Sequence, residues 1–170
     1  MSEPVVVRAA RPDDADAIAR IYNEGIAERV ATFQTAIQRR PDVAQGIEAG
    51  QLVLVAVRGD QIVGWAGATP YDDAHDYYSG IGEATLYVGR DARRSGTGRA
   101  LLAALAEECE RRGYYKLVGK IFTTNGPSIA LVRASGWRDV GTHERHGRLD
   151  GEWRDVLVVE LLLGEARADD

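Results

Sequence analysis

The segment RRSGTGRALL, residues 93–102, places arginines and glycines directly before an apolar helical pattern. The first amide groups of a helix lack intrahelical partners and carry partial positive charge. Two glycines, Gly96 and Gly98, let an anion approach the backbone closely. The flanking arginines, which add full positive charges, are Arg93, Arg94 and Arg99. This combination predicts a site for a phosphate or diphosphate; the alternative is an exposed basic turn that is capped by glycine.

Two common phosphate-binding motifs do not match this segment. A P-loop requires the pattern G-x-x-x-x-G-K-[ST], and no Lys-Ser or Lys-Thr pair follows these glycines. A dinucleotide-binding fold requires three glycines in its first strand-to-helix turn. Here the glycines come late in the chain, and there is no third one.

A carboxylate lies on the predicted strand that leads into the glycine segment. Alternation along GEATLYV, residues 82–88, puts Glu83 on one face with Thr85 and Tyr87. A carboxylate on a partly aromatic surface could act as a general base. The alternative is an ordinary strand acid that faces solvent.

Strands and helices of mixed order must position these residues. Strands are predicted at residues 5–10, 52–57, 61–68, 82–90 and 116–122, and two more flank the LDG turn at 149–151. Helices are predicted to begin at Pro12, to run from Pro41 to Gly50, and to cover residues 98–112 and 125–135. Residues 25–35 are left as a loop or a broken second helix. The order predicts an α/β or α+β fold with a single mixed central sheet flanked by helices.

Length and composition narrow the class of protein. The 170 residues predict one domain over 1–164 with a polar tail at 165–170. The net charge of −5 argues against nucleic-acid binding. The sequence contains one cysteine, no signal-peptide pattern and no apolar run of the roughly 20 residues that a membrane helix needs. A cytoplasmic protein without a membrane partner is therefore expected.

Several segments together resemble one enzyme family. YVGRDARRSGTGRALL resembles the acyl-CoA pyrophosphate loop of GCN5-related N-acetyltransferases, with its pattern [QR]-x-x-G-x-[GA]. NGPSIALVRASGW resembles the next motif of that family, an asparagine, a short helix, then glycine and an aromatic residue. IYNEGIAERVATF, GEATLYV and HGRLDGEWRDV resemble the branch that includes phosphinothricin, arsinothricin and methionine-sulfone N-acetyltransferases. The resemblance covers almost the whole chain.

The resemblance implies an acetyl-CoA-dependent enzyme that acetylates the α-amine of an amino acid or its analogue by direct attack on the thioester. It implies resistance to compounds such as arsinothricin. The residues that it implies as contacts of acetyl-CoA are Leu86, Val88, Arg93, Arg94, Ser95, Gly96, Thr97, Gly98, Arg99, Ala100, Asn125 and Ser128. Val88 is expected beside a bulge that splays two strands. For Asn125, a helix cap is the alternative role.

The resemblance also assigns the proton transfers. Glu83 matches the family's proposed base, which removes a proton from the amine directly or through one water. Many relatives carry a tyrosine or a histidine at the position of Val132, and valine cannot donate a proton. Tyr87 or water is left to protonate the departing thiolate, unless no acid is needed.

Acceptor-binding residues follow from the same branch. Phe33 and Thr35 match its substrate-lining segment, with ordinary packing as the alternative for Phe33. Tyr78 matches a loop tyrosine, and His75 stands where the branch has an arginine that meets an acidic group of the substrate. A histidine, mostly neutral near pH 7, holds such a group less firmly. Alternatively, His75 is a surface residue.

The C-terminal hairpin is expected to serve an interface. The spacing of His143 and His146 on a strand puts them on opposite faces, so no shared metal is expected. The resemblance implies a homodimer in which Trp153 and Arg154 lie at the interface or complete the neighbour's acceptor site. The alternative is a hairpin whose tryptophan packs within its own chain.

Two other functions remain open from the sequence. The acceptor of the same fold could be a protein N-terminus or a lysine, which an extended peptide groove would favour. A non-catalytic acyl-CoA-binding module is the third hypothesis; Val132 favours it, and the retained Glu83 opposes it.

Overall fold

Seven strands form one sheet in the computed structural model, which describes residues 3–167. The strands are β1 (Val6–Ala9), β2 (Leu52–Arg58), β3 (Gln61–Pro70), β4 (Ile81–Val88), β5 (Lys116–Phe122), β6 (Arg138–Leu149) and β7 (Glu152–Leu162). Their order across the sheet is β1-β2-β3-β4-β5-β7-β6. All neighbours are antiparallel except β4 and β5, which are parallel. The mixed sheet predicted from the sequence is confirmed.

Within the described residues, four α-helices cover the sheet. They are α1 (Ala15–Glu28), α2 (Arg40–Glu48), α3 (Thr97–Arg111) and α4 (Gly126–Ala134). Apolar side chains of α3 and α4, such as Leu105 and Val132, pack with Leu117 in the main core. On the other face, Ile18 and Ile21 of α1 pack against Val55 and Trp65, with α2 at the edge of this cluster. Helices therefore lie on both faces of the sheet.

The first helix is longer than the sequence suggested. It continues through Gly25 to Glu28 rather than breaking near residue 25, and Arg29 ends it with a left-handed φ of 58°. Gly25 lies against the ring of Tyr87, where an added Cβ would stand 2.6 Å from a ring carbon. The glycine in this helix thus allows close contact with β4 rather than ending the helix.

The ends of the other predicted elements agree with the structure to within about two residues. The strand expected at 82–90 ends at Val88, because residues 90–92 form a short 3₁₀ turn. Of the tail expected at 165–170, Glu165 and Ala166 belong to another such turn, Gly164–Ala166, and Arg167 pairs with Glu110 at 3.0 Å. Residues 168–170 lie outside the described part. Within residues 3–167, no helix has the length and apolar composition needed to span a membrane.

Candidate active site

A cleft opens in the sheet where β4 and β5 separate. The two parallel strands pair from Ile81–Lys116 to Glu83–Val118, and the pairing stops there. Beyond it lies a cleft of about 440 Å³. The register of β4 with β3 runs without a shift from Gly64–Val88 to Pro70–Gly82. The strands therefore splay without the expected bulge next to Val88, and the loss of pairing with β5 creates the opening.

The N-terminus of α3 presents backbone amides beside this cleft. Gly96 caps the helix in a left-handed conformation, φ 83°, and a Cβ placed on it would meet nothing within 4 Å. The first intrahelical bond runs from the Ala100 amide to the Gly96 carbonyl (3.0 Å), so the preceding amides point out of the helix. A Cβ on Gly98 would stand 2.7 Å from Leu131, a side chain that lines the cleft. Val88 and residues 93–100 are not among the side chains that line the cleft; the glycine segment approaches it at Leu131, and Gly96 leaves open space for an anion.

Arg58 of β2 forms hydrogen bonds with side chains of the glycine segment, a contact that the sequence did not indicate. Its guanidinium donates to Ser95 Oγ at 2.8 Å and to Thr97 Oγ1 at 3.3 Å. Ser95 in turn donates to the Ala92 carbonyl at 2.5 Å and lies 2.9 Å from Thr97 Oγ1. Since Thr97 is only 1% exposed, its hydroxyl is internal and supports the glycine segment from within the protein. Nothing in the local pattern around Arg58 signals this contact.

The three arginines of the segment have different partners. Arg93 pairs with Glu28 at 2.9 Å, and Arg99 donates to the Ala134 carbonyl at 3.1 Å. Burial tends to raise the pKa of Glu28, but hydrogen bonds from Arg93 and Arg90 outweigh it and hold that pKa below its usual value. Within the described residues, Arg94 has no carboxylate partner, and its own φ is 58°. Arg94 is therefore the arginine most available to an anion.

The two faces of β4 carry different chemistry, as the alternation predicted. Leu86 and Val88 pack on the main core, and Leu86 also lines the cleft. Tyr87 lies on the opposite face, in a stack with Tyr22 and Trp65 at ring distances of 4.7 and 5.4 Å. Glu83 lines the cleft from this second face.

Glu83 is paired with a lysine that sequence reasoning missed. Lys120 of β5 places Nζ 3.2 Å from Oε1 and 3.3 Å from Oε2 of Glu83. Among the described residues that line the cleft, Glu83 is the only one with a carboxylate. No local pattern marks Lys120, because its neighbourhood depends on the register between β4 and β5.

Tyr87 is a weak candidate for an acid. Burial raises its pKa well above the ordinary value, and the neighbouring Tyr22 adds to the shift. A phenol with so high a pKa gives up its proton less readily than a thiol, whose pKa is about 8.5. Tyr87 does line the cleft, beside Tyr22 and Thr32, and its assignment as a proton donor stays a prediction.

The N-terminus of α4 forms the opposite wall of the cleft. Asn125 caps this helix: its Oδ1 accepts the Ser128 amide at 3.3 Å. Both residues also line the cleft, so the cap and a ligand contact are compatible. Val132 lies buried in the same wall, where it offers apolar surface and no proton.

Of the predicted acceptor residues, Phe33 alone lines the cleft within the described chain. Its ring meets Phe122 edge-on at 4.7 Å. Thr35 is exposed and outside the lining. His75 and Tyr78 lie in the loop before β4, where His75 bonds Asp72 at 2.9 Å and Tyr78 packs edge-on against Tyr71.

The prediction that His143 and His146 lie on opposite faces is wrong. Their rings stack at 4.3 Å with an angle of 14° between their planes. A register shift between His143 and Gly147 interrupts the alternation, and Arg145 has a left-handed φ of 48° inside it. His146 consequently lines the cleft, although no group of three or more metal-ligating side chains occurs within residues 3–167.

The tip of the β6–β7 hairpin lies away from the cleft of its own chain. Trp153 is 49% exposed and packs under the guanidinium of Arg148 at 4.2 Å. Arg154 contacts Glu152 at 3.4 Å. Neither residue is brought to the cleft, so any contact with an acceptor requires a second chain.

Sequence comparison with known families gives one match over most of the chain. Residues 18–137 match the model of the "Acetyltransferase (GNAT) family". The chain is 30% identical over 159 residues to a phosphinothricin N-acetyltransferase of Alcaligenes faecalis, covering 91% of this chain and 80% of that protein. It is 29% identical to an L-methionine sulfoximine/L-methionine sulfone acetyltransferase of Pseudomonas aeruginosa, covering 95% and 96%.

A solved structure shows the same fold. The phosphinothricin acetyltransferase of Sinorhizobium meliloti, in complex with AcCoA, superimposes with a TM-score of 0.89 at 27% sequence identity. The match covers 98% of this chain and 92% of that one.

Proposed function

The chain belongs to the acetyltransferase (GNAT) family, with acetyl-CoA as its acyl donor, and from this premise we propose that its acceptor is the α-amine of an amino acid or amino-acid analogue. The observation that carries the proposal is one arrangement: a carboxylate, Glu83, lines a cleft, and the N-terminus of α3, with its unpaired amides, approaches the same cleft at Leu131. Acyl transfer to an amine needs both a base and an anchor for the donor.

The residues at the cleft fit acetyl-CoA. A diphosphate suits the amides that precede Ala100, because Gly96 leaves space in front of them and Arg94 adds a positive charge. Leu86, Asn125 and Ser128 would hold the arm that leads to the thioester. When bound, acetyl-CoA supplies an acetyl thioester whose thiolate leaves readily, since the pKa of an alkyl thiol is about 8.5.

Glu83 would act as the general base. An α-amine has a pKa of about 8, so much of it is protonated near pH 7 and cannot attack. Glu83, directly or through one water, accepts the proton that the amine loses. The amine nitrogen then forms the new bond to the acetyl carbon as the bond from that carbon to sulfur breaks. Such proton transfer contributes about 10²–10⁴-fold.

The named relatives indicate the class of acceptor. According to their names, the relatives from Alcaligenes faecalis and Pseudomonas aeruginosa act on amino-acid analogues: phosphinothricin, and methionine sulfoximine or sulfone. We propose that compounds of this type, arsinothricin included, are acceptors of this chain. Phe33 and Phe122 would contact the acceptor's side chain, since both line the cleft.

A thiol-release assay with a panel of amines tests the proposed function. Acetyl-CoA is mixed with the enzyme and with phosphinothricin, L-methionine sulfone, common amino acids or a peptide with a free N-terminus. Release with the amino acids or analogues supports the proposal. Release with the peptide alone would instead assign a protein acceptor, and binding of acetyl-CoA without release from any amine would assign a non-catalytic module.

We also propose a homodimer that is formed through the β6–β7 hairpin. β6 is an edge strand of the sheet, and Val140 on it is 50% exposed. Trp153 offers a large apolar surface at the tip, with Arg154 next to it. Light scattering of the wild type should give twice the chain mass, and Trp153→Ala should lower it. A wild type that scatters as a monomer at high concentration contradicts the proposal.

A further inference from the structure

Lys120 and Glu83 form an ion pair inside the candidate acceptor site. Nζ of Lys120 faces both carboxylate oxygens, at 3.2 and 3.3 Å. The two side chains come from different strands and both line the cleft. Until this pair opens, the lysine occupies the oxygens that must receive the proton of the amine.

The cleft has few charges that could meet an anionic group. Among the described residues that line it, Glu83 is the only carboxylate and Lys120 the only lysine or arginine. His146 is the one other lining side chain that can become a cation. His75, the position predicted to meet an acidic group of the acceptor, lies outside this lining, as does Arg154. Lys120 is thus the lysine or arginine of this lining that pairs with the proposed base.

We propose that Lys120 binds the α-carboxylate of the acceptor and thereby selects free amino acids. The inference rests on the proposed function, in which Glu83 receives the α-amine. An amino acid carries its ammonium and its carboxylate on the same carbon. As it enters, the ammonium replaces Lys120 at Glu83, and Lys120 turns to the carboxylate. One ion pair is exchanged for two.

The exposure of the pair makes this exchange feasible. The side chains of Lys120 and Glu83 are 45% and 34% exposed, and ion pairs of such exposure are weak. Opening the pair therefore costs little, whereas the arriving zwitterion restores a partner to each charge. The exchange also frees the oxygens of Glu83 for the proton of the amine.

A comparison of an amino acid with its carboxamide isolates this contact. L-methionine sulfone and its carboxamide differ only in the group that Lys120 would bind. The amine of the carboxamide is the less basic of the two, so more of it is neutral near pH 7. Intrinsic reactivity therefore favours the carboxamide, and a preference for the free acid must arise from the site.

The experiment measures kcat/KM for both compounds with the wild type, Lys120→Met and Lys116→Met. The wild type should prefer the free acid, and Lys120→Met should lower kcat/KM for the free acid by about 10- to 100-fold, the usual effect of losing a hydrogen bond between charged groups. For the carboxamide, kcat/KM of Lys120→Met should differ from the wild type by less than about 3-fold, since Glu83 remains. Lys116→Met is the matched control: it removes a lysine from the same strand that pairs with Glu160 at 3.1 Å, outside the cleft. Lys116→Met should leave kcat/KM unchanged for both substrates.

Three results overturn the inference. One is a wild type that uses both compounds equally; another is a Lys120→Met variant that lowers both to the same extent. A preference that survives Lys120→Met but is lost in His146→Gln would move the carboxylate to His146 and also refute it.

Calorimetry with CoA bound separates this inference from the proposed function. If the free acid binds more tightly than the carboxamide, and only Lys120→Met abolishes the difference, Lys120 recognises the carboxylate even if no thiol is released. In that case the proposed reaction fails while the inference stands. If neither compound binds or reacts, the inference and the proposed function are both refuted.

Discussion

Replacing Gly96 by alanine should weaken acetyl-CoA binding beyond its effect on stability. Gly96 has φ 83°, a conformation that costs a residue with a Cβ about 1–2 kcal/mol. For a chain of this size each kcal/mol lowers the melting temperature by about 2–4 °C, so the variant should melt about 2–8 °C lower. The new Cβ would stand in open space, with no protein atom within 4 Å, at the helix end where we propose that the diphosphate binds. Losing one hydrogen bond to a phosphate costs about 1.5–3 kcal/mol, or about 10- to 100-fold in Kd.

Gly113 provides the control for the strain. Its φ is 89°, and a Cβ placed on it likewise meets nothing within 4 Å, but it lies at the other end of α3. Gly113→Ala should therefore lose about the same stability and bind acetyl-CoA with the wild-type Kd.

The assay is thermal melting at increasing acetyl-CoA, because a ligand that binds the folded state alone raises the melting temperature according to its Kd. Titration calorimetry gives the Kd directly. Equal Kd values for the two variants would refute the role of the Gly96 backbone in binding. Unchanged melting of both variants would refute the strain argument.

Three further variants test the base, the tyrosine and a partly buried ion pair. Glu83→Gln should lower kcat by about 10²–10⁴-fold, most strongly below about pH 8, with the Kd for acetyl-CoA unchanged; full activity near pH 7 would exclude it as the base. Because burial raises the pKa of Tyr87, Tyr87→Phe should lower kcat by less than about 10-fold, and a larger loss would show that its hydroxyl is needed. Asp14→Asn should cost about 1–2 kcal/mol of unfolding free energy near pH 7, because it removes the charge that pairs with the partly exposed Arg8. The Arg8 guanidinium holds the pKa of Asp14 below its usual value, so urea melts of wild type and variant should converge as the pH falls below about 4; a gap independent of pH would contradict this.

The sequence predicted those parts of the fold that local pattern determines. β5 begins and ends where alternation and its flanking residues place it, at Lys116 and Phe122. α3 begins within one residue of the position that the glycines indicate. Gly25, by contrast, looked like a helix end, and only the ring of Tyr87 against it explains why the helix continues.

The candidate site was less accessible to sequence reasoning, because its key contacts are long-range. The residues next to Lys120 and Arg58 in the sequence give no sign of their contacts. Lys120 meets Glu83 because β5 lies beside β4, and Arg58 reaches Ser95 from the end of β2. The two histidines of β6 were misplaced because one residue, Arg145, takes a left-handed φ and interrupts the period of two. Neither the alternation of apolar residues nor the composition of the sequence reveals contacts of this kind.

The separation of β4 from β5 gives the sheet an uneven resistance to hydrogen exchange. A strand edge without a neighbour leaves its amides open to solvent, and such amides exchange fast unless something else accepts them. The half of β4 beyond Glu83 has β3 on one side and the cleft on the other. Deuterium uptake should thus be rapid at alternate amides between Ala84 and Val88 and slow in the paired half of the strand. An extended ligand lying along that edge would slow them, so the enzyme's central strand would be completed only while its donor is bound.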